Sequence, residues 1–167
     1  AKVSCESISG CANQPSSVKA FFEVTDAEFT VQDNSAPGLA ASGDLWDWAG
    51  DSSYHRGSAS MTVGGWDQGS GVSAAWAEVN GLRVDFPAPV CPGDKGSYST
   101  RFSPCPLTFF STRSFDTSTA PFQEGSNQIR LCVRDYASSE AGAAKTCTAT
   151  RNLLVDNQPS GPPVNLR

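Results

Sequence analysis

The clearest β-hairpin in this sequence reads Ala75-Trp76-Ala77-Glu78-Val79-Asn80-Gly81-Leu82-Arg83-Val84-Asp85-Phe86. Two runs of strand-favouring residues flank the central dipeptide Asn80-Gly81. Asn-Gly readily adopts the two positive φ angles of a type I′ turn, which joins neighbouring antiparallel strands through only two residues. The sequence therefore predicts a tight hairpin at this point in the chain.

Further strands are predicted before and after this hairpin. Residues 59–63 (ASMTV) alternate apolar and polar side chains, with the period of two that half-buried strands show. Ile129, Leu131 and Val133 share one face of a later strand, which we expect to face the core, so that Cys132 points outward. The remaining strands are expected at residues 18–24, 27–31, 107–116 (as one strand or two) and 146–155. These short strands, with turn residues between them and no helical spacing, predict an all-β fold, an antiparallel β-sandwich.

Composition and charge fit this fold and narrow the range of partners. The chain has 167 residues, of which 17% are charged, with 15 Gly and 11 Pro, as expected for short strands joined by many turns. Its formal charge of −5 provides no basic surface for phosphate contacts, so we expect no nucleic-acid partner. No apolar run approaches the ~20 residues that span a bilayer, so we expect no membrane span.

Six cysteines without a C-x-x-C pair indicate disulfides rather than metal binding. Disulfides persist in oxidising compartments, so we expect an extracellular protein, either secreted or on the cell surface. The order of the cysteines favours three local bridges, Cys5–Cys11, Cys91–Cys105 and Cys132–Cys147. A long-range bridge of Cys132 through the core is the alternative that the sequence leaves open.

Two similar turn segments, VQDNSAP at residues 31–37 and VDNQP at residues 155–159, bracket most of the chain. Each ends a β-favouring run with Asp-Asn and a nearby Pro, residues that stop a strand and set a turn. We predict three parts: the closing strands of a preceding β module at 1–32, a β-sandwich at 33–158, and a linker to a following module at 159–167. Unpaired strands expose an edge, so we expect the N-terminal strands to pair with the sandwich or with a second copy of the chain.

Five short motifs occur in an order typical of one class of domain. They are D-x-G-S-G-V at residues 67–72, Val79-Asn80-Gly81, E-G-S-N at residues 124–127, Val133-Arg134-Asp135 and Val155-Asp156-Asn157. With this order and spacing, residues 31–159 resemble the bacterial immunoglobulin-like repeats of large secreted actinobacterial surface proteins. The resemblance implies an immunoglobulin-like β-sandwich that works without catalysis, as a spacer or adhesion module among neighbouring domains of one polypeptide. Residues 136–139 (YASS) depart from the Ala-Gly-Asn usual in these repeats, and residues 44–55 look like an insertion.

Calcium is the one cofactor that the sequence suggests. Six residues at predicted module ends or strand-terminal turns could bring oxygen ligands together around this ion: Asp33, Asn34, Asp67, Asp135, Asp156 and Asn157. The alternative is that each side chain caps its own turn through backbone hydrogen bonds, as Asp and Asn commonly do.

Carbohydrate binding is the alternative function, in an accessory module of a secreted glycan-active protein. Exposed aromatic rings provide stacking surfaces for sugars, and Trp46 and Trp48 would lie on one face if their segment is extended. They could instead cover one end of the core. Trp66 and Trp76 fall near regular strand positions, and we expect both in the core. A surface glycan or a protein is therefore the predicted class of ligand.

Catalysis is not predicted. The single histidine, His55, lies in a Gly- and Ser-rich stretch, and we expect a solvated loop residue there rather than the base of a hydrolase triad. Five acidic residues could supply the carboxyl pair of a glycoside hydrolase, but solvated turn and edge-strand positions are the simpler explanation for them: Asp44, Asp47, Asp51, Glu78 and Asp85.

Overall fold

The computed structural model describes residues 33–96, 99–137 and 145–158 of the chain. Of the two units into which the chain divides, Ala1–Thr30 and Val31–Arg167, only the second contains described residues. The elements, in chain order, are β1 (Gly38–Ser42), α1 (Asp44–Trp48), β2 (Tyr54–His55), β3 (Ser58–Trp66), β4 (Val72–Val79), β5 (Leu82–Asp85), β6 (Thr108–Asp116), β7 (Gly125–Asp135), β8 (Lys145–Cys147) and β9 (Arg151–Val155). Within these ranges, no helix is long and apolar enough to cross a membrane.

The strands form two sheets. A three-stranded sheet has the order β1-β3-β6, and a six-stranded sheet has the order β2-β9-β7-β4-β5, with β8 also paired to β7. Neighbouring strands run antiparallel, except that β2 and β9 are parallel. The predicted all-β fold with largely antiparallel sheets is confirmed, and the immunoglobulin-like form of the sandwich stays a prediction.

One apolar core joins the two sheets. Met61 and Val63 of β3 belong to the same packed cluster as Ile129, Leu131 and Val133 of β7, and all five side chains are fully buried. The predicted inward face of β7 is therefore confirmed. Because burying a side chain of this size contributes roughly 1.5–3 kcal/mol, such positions supply most of the stabilisation of the sandwich.

The predicted hairpin is confirmed as β4 and β5. Asn80 and Gly81 both have positive φ angles, 53° and 81°, as a type I′ turn requires. Val79 and Leu82 pair directly across the turn. The side chain of Asn80 also accepts the backbone N–H of Gln128 at 2.9 Å, so the turn is fixed to β7 as well.

Two of the three predicted disulfides lie among the described residues, and both are formed. They are Cys91–Cys105 and Cys132–Cys147, whose partners are 14 and 15 residues apart in sequence. Cys132 and Cys147 stand opposite each other on β7 and β8, which excludes the long-range bridge through the core. The predicted bridge Cys5–Cys11 lies outside the described residues.

The segment that contains Trp46 is helical, so it does not take the extended form that would put Trp46 and Trp48 on one face. Gly43 has a φ angle of 102°, which lets the backbone turn from β1 directly into α1. Leu45, Trp46 and Ala49 then pack into the core. Their burial stabilises a helix of five residues, a length that is not stable in isolation.

The strand predicted at residues 146–155 is divided into β8 and β9. Thr148 Oγ1 accepts the backbone N–H of Leu131 at 3.0 Å, and the Thr148 N–H donates to the Leu131 carbonyl at 2.8 Å. This side-chain bond lies between the two ladders, in which β8 pairs with residues 132–134 of β7 and β9 pairs with residues 125–129. The segment predicted at residues 107–116 as one strand or two forms one strand, β6, at Thr108–Asp116.

Loops at the two ends of the sandwich define two poles. The first pole consists of the turn at residues 67–71 and the loop at residues 91–105, which the Cys91–Cys105 disulfide closes. The second pole consists of the Asn80-Gly81 turn and the loop at residues 117–124. The long strands run between the poles.

The described domain begins at one pole and ends at the other. Near its start, Asp33 Oδ2 accepts the backbone N–H of Ser70 at 2.7 Å, at the first pole. Near its end, Asn157 Nδ2 donates to the carbonyl of Thr117 at 2.8 Å, at the second pole. Both ends are thus fixed by side chains that come from the two predicted boundary segments.

Arg113 covers one side of the sandwich, between β5 and β6. Its pairing with Met61 places its side chain on the inner face of β6. Its Nη1 donates to the carbonyl of Asp85, and its guanidinium lies 5.8 Å from the ring centroid of Phe115. Among the described strands β6 pairs only with β3, so Arg113 lies on an edge strand.

Candidate functional site

Trp46 and Trp48 do not form the exposed pair that carbohydrate binding at these residues requires. Trp46 is 6% exposed, and the guanidinium of Arg151 lies 4.2 Å from its ring centroid. Trp48 is half-buried against the core and stacks on His55, with ring centroids 4.6 Å apart and planes 8° apart. Residues two apart on a helix point in different directions. The geometry fits the alternative, in which this segment covers the core.

His55 lies in β2, and the prediction of a solvated loop residue is wrong. Its Nε2 is 2.9 Å from Oδ1 of Asp51, and only 17% of its side chain is exposed. The hydrogen bond from His55, followed by one from the Ser53 N–H, holds the pKa of Asp51 below its usual value. The interaction holds the loop between α1 and β2 in place, with the histidine ring against Trp48.

Glu78 is not a solvated acid either. It accepts the indole N–H of Trp76 at 3.1 Å and a hydrogen bond from Arg130 Nη2 at 2.6 Å. The Trp76 bond first, and then the Arg130 guanidinium, hold the pKa of Glu78 below its usual value despite its partial burial. Asp85, in contrast, is exposed on β5, and its side chain pairs with the exposed Arg83 at 2.6 Å. Glu78 thus acts as a structural partner of neighbouring side chains.

The calcium candidates are divided between the two poles, and Asn34 is exposed. Asp67 Oδ2 accepts the backbone N–H groups of Gly69 and Gly71 at 3.2 and 2.7 Å, whereas Asp156 Oδ1 accepts the N–H of Gln158. These are the bonds of the turn-capping alternative. Across residues 33–96, 99–137 and 145–158, no three His, Cys, Asp or Glu side chains come together as a metal-binding group. The first pole holds Asp33, Asp67 and the buried Asp135, and the second pole holds Asp156 and Asn157.

Asp33 caps the turn at residues 67–71 from outside. In addition to its bond from Ser70, it accepts the N–H and the hydroxyl of Ser35 at 3.0 and 2.6 Å. A Cβ atom on Gly69 would lie 2.1 Å from Asp33 Oδ2, so only glycine fits beneath the carboxylate. Burial acts to raise the pKa of Asp33, but the hydrogen bonds from Ser35 and Ser70 outweigh it and lower the pKa from 3.8 to about 2.

We expect Asp33→Asn to remove the part of the unfolding free energy that the ionised Asp33 carboxylate contributes and that is lost at acid pH. Because the folded pKa lies below the unfolded one, ionised Asp33 stabilises the fold fully above pH 3.8, and this stabilisation is lost as the pH falls through about 2. In urea unfolding, the wild type should lose more stability than Asp33→Asn across this window. Ser35→Ala, which removes one donor, should give an intermediate profile. Parallel profiles for the wild type and Asp33→Asn would contradict this account.

Three of the recognised motifs meet at the second pole. Asn127, fully buried, accepts hydrogen bonds from Asn80 Nδ2 at 2.8 Å and from the Gln123 N–H at 2.9 Å. Its own Nδ2 donates to the carbonyls of Gln123 and Gly125 at 2.7 and 3.0 Å. The backbone N–H of Asn157 bonds to the carboxylate of Glu124 at 3.1 Å. The motif residues therefore tie the turns of this pole together.

Two aromatic side chains are exposed on the outer face of the three-stranded sheet. Trp66 of β3 is 47% exposed and Phe110 of β6 is 75% exposed. Strand alternation and register place both on the side away from the core, and we call the outward-pointing residues of β1, β3 and β6 the aromatic face. Around the two rings this face contains only Gly, Ala, Ser and Thr, apart from Asp116 at its margin.

Glycines lie directly beneath both rings. A Cβ atom at Gly38 would come within 2.0–2.4 Å of three atoms of the Trp66 indole, which shows that the indole covers this glycine. At Gly64, a Cβ would lie 2.8 Å from Cε1 of Phe110. The two glycines thus let bulky rings lie close to the backbone, as aromatic residues do when they cover glycine on a neighbouring strand.

Trp66 is therefore not a core residue, and that prediction is wrong. Met61, Val63 and Gly65 point inward, so the period of two places Trp66 outward; extending the alternation of residues 59–63 would have shown this. Trp76 is buried as predicted, but on the outer side of the six-stranded sheet. There it lies under Arg83, whose guanidinium is 4.3 Å from its ring centroid.

Two comparisons with known proteins identified no relative of this chain. The scan against protein-family models found no match for the chain, and the search of curated proteins also found none.

Proposed function

We propose that this chain acts as a non-catalytic extracellular structural and interaction module, a spacer or adhesion domain within a multidomain secreted or surface protein. The main support is the placement of the two ends of the described domain at opposite poles. A domain joined to its neighbours in this way separates them by the length of its strands. The eleven residues of β7 alone correspond to about 35 Å.

The disulfides and the strand arrangement support the same proposal. Two bridges among the described residues suit an oxidising environment. The proposed relation to immunoglobulin-like repeats draws support from the way strands divide between the sheets. β3 and β6 share one sheet and β4, β7 and β9 the other, as the B and E strands and the C, F and G strands do in immunoglobulin sandwiches.

Labelling of intact producing cells tests the proposed location. A membrane-impermeant biotin reagent should label the protein on cells, or the protein should be found in the medium, with Cys91, Cys105, Cys132 and Cys147 oxidised in thiol titration. A protein found in the cytosol with free thiols would overturn the proposal. Turnover of a glycan or peptide substrate by the purified chain would overturn its non-catalytic part.

A carbohydrate-binding accessory module is the second candidate function. The observation that favours it is the aromatic face, because Trp66 and Phe110 are exposed there, whereas Trp46 is buried in the core. The candidate glycan-binding surface is thus the outside of the three-stranded sheet, and not the segment with Trp46 and Trp48 that the sequence suggested.

A further inference from the structure

We propose that the aromatic face binds a neutral, extended glycan of β-1,4-linked pyranose units. This inference rests on the proposed interaction role and gives it a surface and a ligand class. It is carried by two exposed rings, Trp66 and Phe110, which lie over glycines on a sheet face whose other side chains are small and almost all uncharged.

The indole of Trp66 provides the main contact. One side of the ring covers Gly38, so the exposed part of the indole is directed away from the sheet. Pyranose units with equatorial substituents have flat C–H faces, which pack on an aromatic ring without losing their hydroxyl hydrogen bonds. Phe110 supplies a second ring on the neighbouring strand, two positions along in register, so that one extended ligand can contact both rings.

Hydroxyl groups beside the rings supply the polar contacts. Thr62 Oγ1 and Thr112 Oγ1 lie 2.7 Å apart on this face, and Ser60 pairs with Ser114 in the next outward position. Each hydroxyl can both donate and accept, as the hydroxyls of a sugar do. Because the face has no basic residue and its single carboxylate, Asp116, lies at the margin, it offers nothing that would select an anionic or a cationic ligand.

The shape of the face favours a polymer that lies across it over a ligand that enters a cleft. Two clefts among the described residues, of about 200 and 480 Å³, lie on the six-stranded sheet, one lined by Glu78 and Arg130 and the other by Ser73 and Arg134. Neither of these two clefts is on the aromatic face. An extended β-1,4-linked chain is ribbon-like and matches a flat surface.

A second copy of this chain is the competing occupant. Stable homodimer interfaces are about two-thirds apolar, with a continuous apolar centre. The aromatic face instead has two separate rings among hydroxyl side chains, which stay hydrated until a hydrogen-bonding ligand replaces the water. The composition therefore favours a glycan.

Binding isotherms of the full chain on microcrystalline cellulose and on crystalline chitin test the proposal. The wild type should bind at least one of them, and raising the salt from 0.05 to 1 M should change the affinity by less than about twofold, because no charge pairs are involved. Trp66→Ala and Phe110→Ala should each weaken binding about tenfold or more, since each removes a ring contact. Trp66→Phe should retain part of the affinity.

Two exposed aromatic residues outside the face are matched controls. Phe102 in the disulfide loop and Tyr54 on the other sheet are 79% and 64% exposed, and their alanine variants should bind as the wild type does. Gly38→Ala is a further test variant, because the added Cβ must displace the Trp66 ring without removing it. This variant should therefore also weaken binding. Near-ultraviolet circular dichroism of each variant checks that the fold is retained.

Three results of the binding experiments would overturn the proposal. They are no wild-type binding to either glycan, unchanged binding by folded Trp66→Ala and Phe110→Ala, and a preference for an anionic polysaccharide such as alginate. A dimer in light scattering that Trp66→Ala dissociates would assign the face to a second copy and would also overturn it. None of these outcomes affects the cell-labelling test, so failure of glycan binding and failure of the proposed extracellular role are distinguishable.

Discussion

Trp46→Ala is expected to lower the free energy of unfolding by about 3–5 kcal/mol, as measured in urea at neutral pH. The indole lies within the packed core cluster beside Leu45, and the variant leaves a cavity beneath the guanidinium of Arg151. Loss of the cation–π contact adds to the cost, since Arg151 then faces no ring. In a domain of this size, such a change removes a large part of the total stability.

The control for Trp46→Ala is Phe102→Ala, which removes an aromatic ring from an exposed position in the disulfide loop. Its free energy of unfolding should change by less than about 0.5 kcal/mol. Glycan binding gives an independent readout. If Trp46→Ala were as stable as the wild type but no longer bound glycan, Trp46 would be a ligand residue, and its assignment as a buried structural side chain would be wrong.

Asn127→Leu is expected to cost about 3–4 kcal/mol of unfolding free energy. The asparagine side chain makes four hydrogen bonds inside the second pole, two accepted and two donated. Leucine fills a similar volume but leaves the Gln123 backbone and the Asn80 amide without these partners. Because Asn80 forms the β4–β5 turn, we also expect amide hydrogen exchange of that turn to become faster.

Two variants calibrate the Asn127 result. Asn152→Ala removes an exposed asparagine whose side chain accepts the Ser126 hydroxyl at 2.5 Å, and it should cost less than about 1 kcal/mol. Asn127→Asp keeps the accepted bonds but places a carboxylate against two carbonyls, which favours the protonated form. Its stability relative to the wild type should therefore rise as the pH is lowered. An Asn127→Leu protein as stable as the wild type would show that this network contributes little.

The parts of the fold that the sequence predicted are those in which the determining residues are close together in the chain. Asn80-Gly81 sets its own turn, and Ile129, Leu131 and Val133 define the inward face of β7 by alternation alone. The bridge Cys132–Cys147 closes a strand pair separated by one short connection. Each of these features follows from local geometry, so no knowledge of the other sheet was needed.

The errors have a common physical cause, because they depend on distant partners. The helix α1 is too short to show helical periodicity, and it forms because Leu45 and Trp46 find space in the core. The last strand is divided where the hydroxyl of Thr148 bonds to Leu131. Neither contact is visible in the residues of the segment itself.

The candidate site was the hardest feature to predict. The aromatic face combines Trp66 with Phe110 and exists only because β3 pairs with β6. These strands are far apart in sequence: Thr62 and Thr112, which hydrogen-bond across them, are 50 residues apart. Trp46 and Trp48 stand out in the sequence because they are only two residues apart, although both are largely covered in the structure. Exposure depends on what packs against a side chain, and short-range spacing does not report it.

Arg113 has a consequence for how copies of this domain meet. Among the described strands, β6 has a free edge of nine residues, and such an edge invites a strand from another molecule. An inward-pointing charge on such an edge opposes this, since a strand added there would bury the guanidinium or pull it from the Asp85 carbonyl. At high local concentration, Arg113 would therefore oppose edge-to-edge pairing between copies of this domain.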